Sequence, residues 1–461
     1  MTLRRVLVAN RGEIAVRILR ACRGLGLETV LAASDADRDS LPARLADRTV
    51  CIGPGAARRS YLDPELVVAA ALGTGADAVH PGYGFLAESA ELSELCAAHG
   101  IVFVGPGPTQ IRRMGNKLEA RALARECGLP LLPGTEAVAS VEEARAVVAR
   151  MGLPVMIKAA AGGGGRGMKV VDDPDDLPRM LTAAAAEARA AFGNDALYLE
   201  QYIANARHVE VQVLGDRQGR ILHLGERDCS LQRRHQKLVE ESPAPAIGEE
   251  SRRRLQDAAV DFASKLAYES AGTVEFIVDQ DSGAFYFLEM NTRIQVEHPV
   301  TEMVTGIDLV QEQLRIAGGE PLRFAQPDVR FAGHAIECRI AAEDPRQAFR
   351  PDPGRIAVWN PPEGPRLRLD THCYAGYVVP PYYDSLLAKL IVLGNDRDEA
   401  IERMRDALAR FQISGVATTL PFLRAVMDAP EFASGRVTTR LVGELLRAWP
   451  AVGEAAVERA A

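Results

Sequence analysis

Over its first hundred residues the chain alternates short apolar runs with stretches of helical period, and few folds satisfy that pattern. Arg4 to Ala9, Leu27 to Ala33, Thr49 to Ile52, Ala76 to Val79 and Ile101 to Val104 read as strands. Between them lie three helical stretches: Glu13 to Cys22, Pro64 to Leu72 and Glu88 to Ala98. The first has apolar residues at 14, 15, 18, 19 and 22, the spacing of one helix face. Strand, helix and strand in succession imply crossovers, so the strands run parallel in a doubly wound sheet. Gly105-Pro106-Gly107-Pro108 ends the series, and this first domain is placed at 1–114.

The segment 115–325 changes character. Val141 to Arg150 reads as a helix with Glu142 and Glu143 in its first turn. Pro154 to Lys158 and Met168 to Val171 read as strands around a glycine cluster, and Leu181 to Phe192 reads as a helix. Strand-like runs follow at 197–203, 208–214, 220–224, 273–278 and 284–291, interrupted by a helix over Glu249 to Tyr268. Strands with few helices between them predict an antiparallel sheet. A flap subdomain is expected over about 131–203. The remainder, 326–461, is strand-rich to about 393 and helical from Asp398 to Phe411. The fold class is therefore α/β and α+β, in three domains.

Charge and cysteines narrow the function. With 54 Lys and Arg against 62 Asp and Glu, the net charge is −8, which speaks against a general nucleic-acid or anionic-membrane binder. No apolar run approaches the roughly 18 residues of a membrane span, and none forms a signal-peptide core. The seven cysteines are dispersed, with no Cys-x-x-Cys, so neither a zinc site nor a redox pair is expected. A cytoplasmic location follows as the expectation.

Three stretches carry chemistry. Gly162-Gly163-Gly164-Gly165-Arg166-Gly167 lies between two strands rather than before a helix, which argues against a dinucleotide site. It reads as a hairpin flap whose bare amides fold over phosphate oxygens, with Lys158 ending the preceding strand within reach. The second is a hairpin. If it is symmetric about Ser282, Glu275 faces Glu289 inside otherwise apolar strands. Two opposed buried carboxylates repel, and an oxygen-bound divalent cation, Mg²⁺ or Mn²⁺, removes the conflict. If the strand stays extended, Glu289, Asn291, Arg293, Gln295 and Glu297 all point to one face. The third is the basic run Arg227 to Lys237, readable as a solvated loop or as a phosphate lining. His80-Pro81-Gly82-Tyr83-Gly84-Phe85 follows a predicted strand of the doubly wound domain, where ligands gather or where the chain simply turns.

Together these stretches resemble the biotin carboxylase family of ATP-grasp enzymes. The resemblance runs from Ala9-Asn10-Arg11-Gly12-Glu13-Ile14 through His80 to Phe85, Lys158 to Met168, Asp228 to Glu241 and Glu289 to Glu302. It reaches Glu337-Cys338-Arg339-Ile340 and Tyr383-Asp384-Ser385. It implies an ATP-grasp domain at 115–325 flanked by the family's N- and C-terminal domains. The implied reaction joins MgATP and bicarbonate into carboxyphosphate, which carboxylates N1′ of a biotin on a separate carrier protein. Carried over by motif, Lys117, Lys158, Gly164, Gly165, His208, Gln232 and His235 bind ATP together with Glu275 and Glu289. Glu200, Gln201, Tyr202 and Ile203 hold the adenine. Glu275, Glu289 and Asn291 bind the metal. Lys237, Arg293, Gln295 and Val296 hold bicarbonate, Glu297 is its base, and Arg339 and Tyr83 serve biotin.

The resemblance further implies a homodimer and partners in a biotin carboxyl carrier protein and carboxyltransferase subunits, as in acetyl-CoA carboxylase and fatty acid biosynthesis. Gln201 stands where the family often has Lys, Ala161 replaces the first glycine of the run, and Asn116 replaces a common Asp. No Ala-Met-Lys-Met biotinylation signal is present, so biotin is not attached to this chain. The alternatives are another ATP-grasp ligase that forms an acyl phosphate and a non-catalytic nucleotide-binding module. The final carboxyl acceptor is chosen by the carboxyltransferase and is not written here.

Overall fold

A computed structural model describes residues 3–135, 137–160 and 168–449. The N-terminal strands β1 (Arg5–Val8), β2 (Glu28–Ala33), β3 (Arg48–Cys51), β4 (Ala78–His80) and β5 (Val102–Phe103) form a parallel sheet in the order β3-β2-β1-β4-β5. The chain winds outward through β2 and β3, then returns to lay β4 on the other side of β1. The loops leaving β1 and β4 therefore diverge and open a crevice at the carboxyl edge. The helix Gly12–Gly24 buries Ile14, Ala15, Ile18, Leu19 and Cys22, the face its periodicity predicts.

Strands β6 (Val155–Ala159), β7 (Lys169–Val171) and β8 (Leu197–Gln201) make a separate antiparallel sheet with β6 in the centre. Helices Val141–Met151 and Leu177–Phe192 cover it through Ala144, Val147, Leu181 and Ala188. The glycine cluster joins β6 to β7 but itself lies outside the described residues, as do the site assignments to Gly164 and Gly165.

The largest sheet has eight antiparallel strands. They are β9 (Ala206–Gly215), β10 (Ile221–Arg233), β11 (Gln236–Ser242), β12 (Ser270–Asp279), β13 (Phe285–Asn291), β14 (His334–Ala341), β18 (Leu367–Thr371) and β19 (Leu386–Gly394). The numbers between belong to two small ladders, β15 (Glu343–Asp344) with β16 (Arg350–Pro351) and β17 (Val358–Asn360) with β20 (Gln412–Ser414). The order is β13-β12-β9-β10-β11-β14-β19-β18. The β11–β14 pairing, from Val239↔Cys338 to Ser242↔Ala335, carries one sheet through both the middle and the last segment. The helix Arg397–Arg410 seals its far end, packing Ile401, Met404 and Leu408 on Ile336, Ile340 and Leu390. No helix among the described residues is long and apolar enough to cross a membrane.

Two expectations need correction. The run expected at 220–224 continues to Arg233, so most of the basic stretch is buried strand and not a solvated loop. Its charges are matched inside the sheet: Arg227 Nε donates to Glu210 Oε1 at 2.6 Å, and Arg207 Nη2 donates to Asp228 Oδ2 at 2.6 Å. Those partners stand on the neighbouring strand β9, 17 and 21 residues away, and only the pairing of the two strands shows that they meet. The extended alternation beyond Asn291 also fails. Strand β13 ends there, and Glu297 caps a helix, His298–Thr305, that periodicity did not reveal.

Candidate active site

The crevice at the edge of the parallel sheet opens onto one face of the eight-stranded sheet, and together they enclose a cavity of about 680 Å³. Asn10, after β1, reaches across the switch point. Its Nδ2 donates to Pro81 O at 2.6 Å and to Tyr83 O at 2.8 Å, fixing the loop after β4. Gly82 in that loop has φ of 65°, and a Cβ there would meet Asn10 Nδ2 at 3.0 Å. Only glycine fits both demands. The tyrosine so placed, Tyr83, donates its hydroxyl hydrogen to Glu13 Oε1.

Glu275 and Glu289 are cross-strand partners, as the hairpin symmetry predicts. The turn is centred slightly before Ser282, and Leu288 bulges between Glu275↔Glu289 and Phe276↔Phe287, which restores the register. Glu275 is buried, whereas Glu289 keeps a quarter of its side chain exposed toward the cavity, less buried than expected. Around Glu275 stand His208 Nε2 at 3.1 Å, Asn291 Nδ2 at 2.8 Å and Gln295 Nε2 at 3.1 Å. Burial pushes the Glu275 carboxyl up, but Lys237 and His208 outweigh it and hold it below its ordinary range. The same contact works in reverse on His208: burial disfavours its charge, yet Glu275 raises it to about 9. Lys117 Nζ lies 3.3 Å from Glu289 Oε2. Two opposed carboxylates and an amide oxygen, one carboxylate facing open space, form an all-oxygen set that fits Mg²⁺ or Mn²⁺.

Deeper in, Lys237 Nζ is surrounded by Glu297 Oε1 at 2.5 Å, Glu210 Oε2 at 2.6 Å and Glu275 Oε1 at 3.2 Å. Two triads there have atoms close enough for a cation, His208–Glu210–Glu275 and Glu210–Cys229–Glu297. The Lys237 ammonium already supplies that charge. Glu297 Oε2 accepts from Arg339 Nη2 at 2.7 Å. Burial pushes Glu297 up, and Lys237, Arg339 and Arg227 bring it below its usual value, so it is ionised at neutral pH. Arg293 is anchored by Glu88 Oε2 at 3.2 Å and Gln295 Oε1 at 2.7 Å. The Val296 carbonyl accepts from the fully buried Lys389 Nζ at 2.9 Å.

At the other end, Lys158 and Arg121 both pair with the buried Glu200. Gln232 and His235 line the cavity beside Lys158 and Lys117. His235 and Arg234 form the two-residue turn between β10 and β11, with φ of 66° and 47°. Two successive non-glycine residues in the left-handed region are strained, and such strain concentrates at functional sites. Glu200, Gln201, Tyr202 and Ile203 do not line this cavity; Glu200 meets it only through Lys158. Reasoning from sequence missed Glu13, Glu88, Glu210 and Lys389. Glu13 lay inside a quoted motif, but the other three take their meaning from long-range pairing.

Residues 2–111 match the family "Biotin carboxylase, N-terminal domain", 116–325 "Carbamoyl-phosphate synthase L chain, ATP binding domain", and 337–444 "Biotin carboxylase C-terminal domain". A biotin carboxylase of Nostoc is 53% identical over 442 residues, covering 96% of this chain and 99% of the relative. A pyruvate carboxylase subunit from Methanothermobacter thermautotrophicus is 48% identical over 444 residues, covering 96% and 90%. The biotin carboxylase of Campylobacter jejuni in its beta-gamma-ATP complex superposes with a TM-score of 0.93 at 45% identity, covering 96% and 99%. So does the biotin carboxylase domain dimer of Hydrogenobacter thermophilus 2-oxoglutarate carboxylase, solved with MgADP, ADP and bicarbonate, at 0.93 and 47%, covering 96% and 98%.

Proposed function

This chain belongs to the biotin carboxylase family, and from that premise we infer its reaction: ATP- and bicarbonate-dependent carboxylation of biotin on a carrier protein. The observation that carries it is Glu297, an ionised carboxylate held between Lys237 at 2.5 Å and Arg339 at 2.7 Å inside the cavity. A base that takes the bicarbonate proton must be charged, buried and beside the cations that hold the anion. Arg293 and Lys237, with Gln295 and the Val296 backbone, are assigned to bicarbonate. Lys117, Lys158, Gly164, Gly165, His208, Gln232 and His235 are assigned to ATP, and Glu200 to Ile203 to its adenine. Mg²⁺ or Mn²⁺ at Glu275, Glu289 and Asn291 would offset phosphate charge.

In the first step a bicarbonate oxygen bonds to the γ-phosphorus and the bond to ADP breaks. In the second, biotin N1′ bonds to the carboxyl carbon, the bond to phosphate breaks and the N1′ proton passes to the departing phosphate. Arg339 then faces the ureido oxygen as it gains charge, and Tyr83 flanks the ring. Domains at 1–114, 115–325 and 326–461 are proposed, and the matched family ranges support them. A homodimer, a biotin carboxyl carrier protein, carboxyltransferase subunits and a cytoplasmic location complete the reading. Solved structures named for pyruvate and for 2-oxoglutarate carboxylation share this fold, as expected if the acceptor is chosen by another protein. Oxygen-labelled bicarbonate tests the intermediate: one label must appear in inorganic phosphate for each ATP cleaved. ATP cleavage without label transfer excludes carboxyphosphate.

A further inference from the structure

Behind Arg339 lies a pair of acids that the reaction above does not use. Glu240 on β11 and Glu337 on β14 are direct cross-strand partners, and both are fully buried. Neither oxygen of Glu337 has a hydrogen-bond partner among the described residues, and neither does Glu240 Oε2. Glu240 Oε1 lies 2.5 Å from Arg339 Nη2, but that nitrogen is shared with Glu297. The cation nearest to Glu337 from the next strand, Lys389, is taken up by Val296 O at 2.9 Å, Glu13 Oε2 at 3.2 Å and Asp370 Oδ2 at 3.8 Å. Two ionised carboxylates opposed in this setting would repel each other in a low-dielectric interior with one shared guanidinium between them.

We propose that Glu240 and Glu337 share one proton at neutral pH, and that this singly charged pair sets the place and the free charge of Arg339. The second half rests on the reading of Arg339 given above. A doubly ionised pair would join Glu297 in neutralising the guanidinium before the biotin oxyanion formed. A neutral pair would leave one edge of the guanidinium without its anchor. One proton gives an anchor and leaves positive potential toward the cavity; opposed carboxyl groups too close to ionise together hold a single proton in other enzymes as well. The other groups facing the pair are accounted for. Lys237 and Arg339 favour the charged forms, and Lys389 does so at Glu337. Glu297 opposes them, and Cys229 on β10 and Cys338 on β14 stay neutral thiols because burial pushes both well up. His298, on the helix packed over β14, is held neutral by burial and by Lys389. Burial dominates at both acids, raising Glu240 to about 7 and Glu337 well above the carboxylate range.

Infrared spectroscopy of the whole enzyme reads this directly. Near pH 7 in heavy water, a carboxylic-acid carbonyl band is expected in the wild type, diminished in Glu337→Gln and in Glu240→Gln. The two variants protect the test against one failing to fold. Glu337→Gln copies the protonated form and cannot lose the shared proton, so the alkaline limb of kcat/KM for biotin should move to higher pH. No such band, or one that both variants retain in full, overturns the shared proton. A band lost in the variants with an unmoved alkaline limb overturns the positioning role, while failure of Arg339 itself would show in its own variant.

Discussion

Lys237 Nζ and Glu297 Oε1 stand 2.5 Å apart, joined across the cavity by residues that are 60 positions distant in the chain. The lysine holds the carboxylate ionised and the carboxylate holds the ammonium charged, since burial alone would discharge both. Replacing Glu297 by Gln removes the base without changing shape. Bicarbonate-dependent ATP cleavage and biotin carboxylation should both fall by ~10²-fold or more, measured as ADP release and as fixed label. Retention of either rate would remove Glu297 from the chemistry.

Arg339 divides the two half-reactions. Arg339→Ala should lower carboxybiotin formation by ~10²-fold, as for a lost oxyanion donor, while slow bicarbonate-dependent ATP cleavage without biotin persists. A purely structural arginine, paired with Glu240 and Glu297, would instead lower the melting temperature and both activities together.

Glu275→Gln and Glu289→Gln should each raise the Mg²⁺ or Mn²⁺ concentration needed for half-maximal ATP cleavage, by about tenfold if one charged ligand is lost. The check is a metal titration at saturating ATP. An unchanged metal requirement in both variants would count against a site between these strands.

Lys389 is a fully buried lysine whose ammonium holds the Val296 carbonyl and Glu13. Lys389→Met should raise the KM for bicarbonate more than it lowers kcat, because it loosens the loop that presents Arg293 and Gln295. Equal loss in both, with a lower melting temperature, would show a role in folding alone.

His372 is buried against Tyr377, with Nδ1 unpartnered among the described residues. Burial, helped by Arg11, lowers its pKa to about 3. The unfolded chain takes up a proton near pH 6.5 that the folded chain refuses. The penalty is therefore absent above pH 6.5 and grows as pH falls toward 3, by about 1.4 kcal/mol per unit. Between pH 7 and pH 5, His372→Gln should gain about 2 kcal/mol relative to the wild type in denaturant unfolding. A difference independent of pH would mean that the imidazole titrates normally.

The parallel sheet was legible because each of its strands and helices carries its own period, down to the face bearing Ile14, Ile18 and Cys22. The Glu275–Glu289 pairing was legible because a hairpin is local, although the Leu288 bulge that sets the final register leaves no signal of its own. Strand β10 was not, since Arg227 and Asp228 read as surface until Glu210 and Arg207 are known to meet them inside the sheet. The union of Lys237, Glu297 and Arg339 depends on β11 pairing with β14, a contact between segments about a hundred residues apart that no local pattern encodes.

The most direct test supplies MgATP, labelled bicarbonate and a biotinylated carrier protein, or free biotin, to the purified chain. The account predicts acid-labile label on biotin, one ADP for each carboxyl group transferred to the carrier, and no product when bicarbonate or ATP is withheld. ATP cleavage that ignores bicarbonate and leaves biotin unlabelled, but responds to an amine and a carboxylic acid, would contradict it.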